Sequence, residues 1–131
     1  FVFQKEVADR ILAKENSKNF GRLSILTSLK MNSSKIIDID PKYFYPKPKV
    51  HSSLLFFKPK KIFYQLKNSK NLEKITRIFF NQKRKKIKTP FNILFKGNLK
   101  VLNELNIDLN LRPHNLSQDI YYKLTEEYEK L

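Results

Sequence analysis

Phe44-Tyr45-Pro46-Lys47-Pro48-Lys49-Val50-His51-Ser52-Ser53 packs aromatic rings, prolines and two lysines into one short segment. Proline fixes its own φ and biases the residue before it toward extended geometry, so Phe44 and Tyr45 are held stiffly and the segment reads as a loop. A preset ring can stack on a nucleobase. Lys47 and Lys49 can meet the flanking phosphates, because backbone contacts supply affinity while stacking and edge contacts handle the base. The alternative reading is a proline-punctuated lead-in to the apolar strand Leu54-Leu55-Phe56-Phe57, with the aromatics simply in the core. The residues alone leave both open.

Outward from this loop, Lys35-Ile36-Ile37-Asp38-Ile39-Asp40 is β-branched and partly alternating, which predicts a strand ended by Pro41. On the other side a strand runs from about Ser53 to Phe57, closed by Lys58-Pro59-Lys60-Lys61. Nearer the start, Val7, Ile11 and Leu12 share a helical stripe between Glu6 and Lys14, with Glu6 and Arg10 spaced to pair. Leu23, Leu26 and Leu29 predict a second helix. Gly21 ahead of it is expected where a side chain would clash or φ is positive. Arg22 is expected in a buried ion pair. Phe1-Val2-Phe3 reads as the end of a buried strand, so a chain opening on it rather than on Met looks like a piece of something longer.

Composition shifts near Phe63, and beyond it no strand is predicted. Leu72, Ile75, Ile78 and Phe79 trace a helical stripe from about Asn71, and the run continues through Asn81-Gln82-Lys83-Arg84-Lys85-Lys86-Ile87. Pro90 permits a short helix over Phe91 to Phe95, stopped by Gly97. Val101, Leu102 and Leu105 predict another. Ser117 is a good N-cap for the last helix, with Asp119 in its first turn and Leu116, Ile120, Leu124 and Tyr128 as its buried face. The order is strand, helix, helix, strand, strand, then four helices. An α/β part over residues 1–62 and an all-α part over residues 63–131 are therefore expected.

With 131 residues, 40% of them hydrophobic, the chain can bury one ordinary core or two small ones. Its 27 Lys and Arg against 12 Asp and Glu give a formal charge of +15, which points to a polyanionic partner, nucleic acid ahead of an acidic membrane surface. A base-composition bias in the encoding genome would raise lysine without selection for binding, but it would not cluster it. Between Lys67 and Lys100 there are eleven basic residues and one acid, Glu73, whereas the final helix carries Asp119, Glu126, Glu127 and Glu129. Lys83, Arg84, Lys85, Lys86 and Lys88 form the sharpest run and are candidate phosphate ligands; read as one and a half helical turns, they cannot all face one way. Asn81 and Gln82 can hydrogen-bond RNA or cap locally. No cysteine occurs, which excludes disulfides and thiolate metal sites, and His51 and His114 are too isolated for a metal centre. No apolar run approaches the roughly 18 to 20 residues that span a bilayer.

Four blocks stand in order: Gln4 to Ile11, Phe20 to Leu26, Phe44 to Ser52, and Phe80 to Ile87. Together they resemble the KsgA family of ribosomal-RNA adenine dimethyltransferases. A weaker fifth block, Asn115-Leu116-Ser117 with Tyr121-Tyr122-Lys123-Leu124, resembles the end of that family's helical domain, so the likeness runs the length of the chain. The relatives that methylate large-subunit rRNA share the proline block; the Phe80 to Ile87 block is the more KsgA-like. The resemblance implies an α/β fold, the carboxyl-terminal part of a Rossmann-like methyltransferase domain followed by a small all-α domain. It implies transfer of methyl groups from S-adenosylmethionine to the exocyclic amines of two adjacent adenosines in small-subunit rRNA during ribosome assembly, in the cytoplasm. It also gives Phe44 the role of stacking on the target base, with Lys47, Lys49, Lys83, Arg84, Lys85 and Lys86 as the RNA-facing cations.

The departure from the family is as specific as the match. Its glycine-rich cofactor loop, its ribose-holding acid and its Asn-Leu-Pro-Tyr-type catalytic motif all precede the block matched by Gln4 to Ile11, and none is present. Gly21 and Gly97 are the only glycines, so no residue is assigned to the cofactor and this chain alone is expected to be inactive. A non-catalytic RNA-binding or ribosome-assembly module derived from the same family is the competing expectation.

Overall fold

The computed structural model describes residues 1–47 and 49–131, so the reading of Pro48 lies outside the described residues. Among these are three strands, six α-helices and three short 3-10 turns. The strands are β1 (Val2–Gln4), β2 (Met31–Ile39) and β3 (Ser52–Pro59). Helices α1 (Lys5–Leu12) and α2 (Arg22–Ser28) lie between β1 and β2. Four helices follow the sheet: α3 (Ser69–Phe79), α4 (Lys88–Phe95), α5 (Leu99–Leu105) and α6 (Gln118–Glu129).

The sheet order is β1-β3-β2, with β3 antiparallel to both neighbours. β1 and β2 therefore run parallel to each other, and α1 and α2 form the crossover that parallel strands require. Ala8 and Ile11 of α1 bury themselves on Leu55 of β3, with Phe3, Val7, Leu12 and Phe57 around them. The Glu6–Arg10 pair forms on the exposed side of α1, at 2.9 Å.

The larger core gathers Leu72, Ile75 and Phe79 of α3, Phe91 and Phe95 of α4, Val101 of α5 and Tyr121, Tyr122 and Leu124 of α6. Phe20, Ile25 and Leu29 join the same cluster from the α/β side. Two buried tyrosines keep their hydroxyls satisfied: Tyr121 donates to the Pro113 carbonyl at 2.6 Å and Tyr122 to the Ile25 carbonyl at 2.7 Å. The second bond ties α6 to α2. Burial in apolar surroundings pushes both phenols above their ordinary range.

Several expectations are corrected. β1 is an edge strand rather than a buried one, with Phe1 81% and Val2 51% exposed, because only β3 flanks it among the described residues. β2 starts at Met31, ahead of the β-branched run, since Asn32 and Ser33 pair with Lys58 and Phe57 and polar side chains are tolerated on an open face. A bulge between Lys35 and Ile37 leaves Ile36 without a partner. Gly21 has φ −172°, ordinary extended backbone, and a Cβ there would meet the Phe80 ring at 3.9 Å, so neither a clash nor a positive φ explains it. It serves instead as the N-cap of α2, its N–H donating to Ser24 Oγ at 3.2 Å. Leu23 turns outward and Ile25 takes its place in the core. The α3 helix stops at Phe79 rather than running on to Ile87.

Candidate nucleic-acid interface

The segment joining β2 to β3 is shaped by backbone hydrogen bonds before any tertiary contact. Asp40 caps a 3-10 turn over Pro41–Tyr43, its Oδ1 accepting the Lys42 N–H at 2.9 Å. That amide bond, with help from the charges of Lys42, His51 and Lys47, holds the Asp40 carboxyl below its ordinary value. Phe44 then turns extended, and its N–H donates to the Pro41 carbonyl at 3.1 Å. Its side chain is half-buried, Tyr43 and Tyr45 are exposed, and Lys47 and Lys49 are exposed on the same loop. Lys42 Nζ lies 5.2 Å from the Tyr43 ring centre. Phe44 is thus neither sealed in the core nor fully exposed.

The far end of the loop is pinned to α1, where the Lys5 N–H donates to the His51 carbonyl at 2.9 Å. Asp38 braces it from β2. Its carboxylate accepts Ser53 Oγ at 2.6 Å and Lys35 Nζ at 3.0 Å and lies 3.9 Å from Lys5 Nζ. The Ser53 bond first, then the lysines, depress its pKa. Beside the loop, Glu6, Asp9, Asn19, Lys49, Val50 and His51 help to line an open recess of about 440 Å³. Sequence reasoning found the loop but not this frame, because Asp38 and Lys5 reach it only through strand pairing and the α1 contact.

The second cluster lies where α3 ends. Phe79 and Ile87 are both fully buried, so the residues between them must leave the core and return to it. Phe80–Gln82 tightens into a 3-10 turn, the Lys85 N–H donates to the Gln82 carbonyl at 3.0 Å, and the Ile87 N–H donates to the Leu111 carbonyl at 2.8 Å. Arg84, Lys85 and Lys86 therefore stand on a turn anchored at both ends, all exposed. Lys83 is half-buried and donates to the Lys18 carbonyl in the α1–α2 connection. Close by, the Asn16 N–H donates to the His114 carbonyl at 2.8 Å and Asn115 Nδ2 donates to Asn16 Oδ1 at 3.1 Å. Burial, with the charges of Lys83 and Arg112, lowers the His114 pKa below its ordinary value.

Arg22 also works across this junction, though not as an ion pair. It is exposed, and its guanidinium donates to Thr76 Oγ1 at 3.3 Å and to the Glu73 carbonyl at 3.2 Å. Neutral acceptors spare the pair the cost of also burying a carboxylate.

Gly21 caps α2 beside Phe80, and Gly97, with φ +72°, follows α4. Among the described residues no group of acidic, histidine or cysteine side chains is arranged to hold a metal ion, and no helix is long and apolar enough to cross a membrane.

A family model described as ribosomal RNA adenine dimethylase matches residues 1–130. Ribosomal RNA small subunit methyltransferase A of Pelagibacter ubique is 58% identical over 130 residues, covering 99% of this chain and 50% of the relative. The protein of that name from Ehrlichia ruminantium is 47% identical over 118 residues, 88% of this chain and 44% of the relative. The chain thus spans about half the length of the curated relatives it matches. Among solved structures, a dimethyladenosine transferase from Plasmodium falciparum superposes with a TM-score of 0.82 at 29% identity, over 98% of this chain and 56% of that one. The 23S rRNA methyltransferase ErmE shares the fold, at a TM-score of 0.61 and 16% identity over 98% of this chain and 53% of that one. This chain belongs to the ribosomal RNA adenine dimethylase family.

Proposed function

We propose that this chain supplies the base-gripping loop and the RNA-facing helical part of an rRNA adenine dimethyltransferase. Its substrate is small-subunit rRNA in the assembling small ribosomal subunit, its products are methylated exocyclic amines of two adjacent adenosines, and it works in the cytoplasm. The methyl donor is S-adenosylmethionine, seated by residues other than those present here, so the 131 residues alone are inactive. The division into residues 1–62 and 63–131 belongs to the same reading, the first part presenting the base and the second holding the RNA.

The observation that carries this reading is Phe44, half-buried at the end of a capped turn, with the exposed Lys47 and Lys49 just beyond it. Enzymes that modify a base inside a folded RNA take it out of its stack and grip it between aromatic or apolar side chains. A ring held by its backbone can receive an extruded adenine without rearranging, and the neighbouring ammonium groups meet phosphates while the ring meets the base. Lys83 has its own partner at Lys18, which leaves Arg84, Lys85 and Lys86 as the cations of the turn presented to RNA.

The test is Phe44→Ala in a protein that also carries the glycine-rich loop and the Asn-Leu-Pro-Tyr-type motif. Methylation of small-subunit rRNA is expected to fall by about tenfold or more, in keeping with removal of a base stack, while RNA affinity changes little. Equal losses in rate and affinity would reduce Phe44 to a folding residue.

A further inference from the structure

The outward turn after Phe79 creates a groove of about 490 Å³ between the end of α3 and the start of α4. That volume is in the range of sites that take one small organic group. Ile78 and Pro90 are half-buried in it, while Ile93 stands 63% exposed on its α4 wall. Arg77, Lys85 and Lys86 edge it, all three exposed, and among the described residues none of them is paired with a carboxylate. Asn81, Gln82 and Thr89 add exposed amide and hydroxyl groups.

A surface that only attracted the phosphates of a duplex would need the cations and would have no use for an uncovered isoleucine among them. An apolar wall set inside a ring of cations, with amides within the same recess, matches the three parts of an unpaired nucleotide: a flat base, its hydrogen-bonding edge and its phosphates. We propose that this groove is a second RNA site, which takes a single unstacked nucleotide by packing its base on Ile93 and Pro90 while Arg77, Lys85 and Lys86 hold the adjoining phosphates. The site is separate from the Phe44 loop and positions RNA without modifying it. It rests on the reading of Lys85 and Lys86 as RNA-facing cations.

Fluorescence anisotropy of the 131-residue chain tests it, with a labelled unstructured RNA and, as the second probe, a hairpin of the same length whose stem is fully paired and whose loop is a non-nucleotide linker. Ile93→Ala is expected to weaken binding of the unstructured RNA by about fivefold, the low end of what a base stacked on an aromatic ring contributes. The hairpin affinity and the salt dependence should stay as they were, since every cation that meets a phosphate is kept. Ile93→Phe restores or improves binding by offering a broader platform, and thermal melts of both variants confirm the fold. Unchanged binding by Ile93→Ala, with a flatter salt dependence in Lys85→Ala/Lys86→Ala, overturns the nucleotide site and leaves the cationic surface standing. No change in either variant overturns both. An equal loss with the hairpin assigns Ile93 to the fold and overturns the site. So does tighter, Ile93-dependent binding to a leucine-containing acidic peptide, which would assign the groove to a protein partner.

Discussion

At the scale of single residues, the two glycines show how little identity says without geometry. Gly21 adopts extended backbone with room for a methyl group, whereas Gly97 follows Lys96 in the left-handed region, with φ of 72° and 50°. Gly21→Ala is expected to leave stability within about 1 kcal/mol of the parent, as alanine does where the native conformation suits it. Gly97→Ala forces a β-carbon into a left-handed turn and should cost about 1 kcal/mol or more. Denaturant midpoints of the two variants check the contrast. Arg22 teaches the same lesson: its charge suggests an ion pair, but the atoms within reach are a threonine hydroxyl and a carbonyl.

At the scale of elements, the capped ends decide more than the propensities. Glu129 near the end of α6 accepts the Lys67 and Asn68 N–H groups at 3.0 Å each and Asn71 Nδ2 at 2.7 Å, fastening the N-terminus of α3. Desolvation alone would raise this carboxyl, but those donors outweigh it and its pKa is lowered. A carboxylate with a depressed folded pKa contributes stability that is fully present above its unfolded value and vanishes as pH falls through the folded one. The parent should therefore melt higher than Glu129→Gln at neutral pH, and the gap should close as acid protonates Glu129. A gap constant between neutral and strongly acidic pH would contradict this. For the basic turn, replacing Arg84, Lys85 and Lys86 by alanine is expected to reduce the salt slope of RNA binding by roughly 0.7 to 0.9 for each phosphate that goes unneutralised. Titrations at several salt concentrations measure it.

The order of strands and helices was legible in the sequence because periodicity and turn residues are local signals. The turn at Lys83–Lys86 was not, since a helical stripe continues through it; the chain leaves the helix because Ile87 is drawn to Leu111. The Phe44 loop and its lysines could be located from proline spacing. Arg77 and Ile93, by contrast, come together with Lys85 only through that unforeseen turn.

At the scale of the molecule, the proposed seating of S-adenosylmethionine by residues outside this chain makes a direct prediction. Calorimetric titration of the 131 residues with S-adenosylmethionine should show no saturable heat, and binding in the micromolar range would refute the proposed division of labour. A second consequence comes from Tyr122, whose hydroxyl reaches the Ile25 carbonyl from a core that also takes in Phe20 and Leu29. Interlocked side chains resist sliding, so the parts that carry the Phe44 loop and the Lys85–Lys86 turn are held together by one core. Under the proposed function, the molecule acts as a caliper, favouring RNA whose displaced adenine lies a set span from its anchored phosphates.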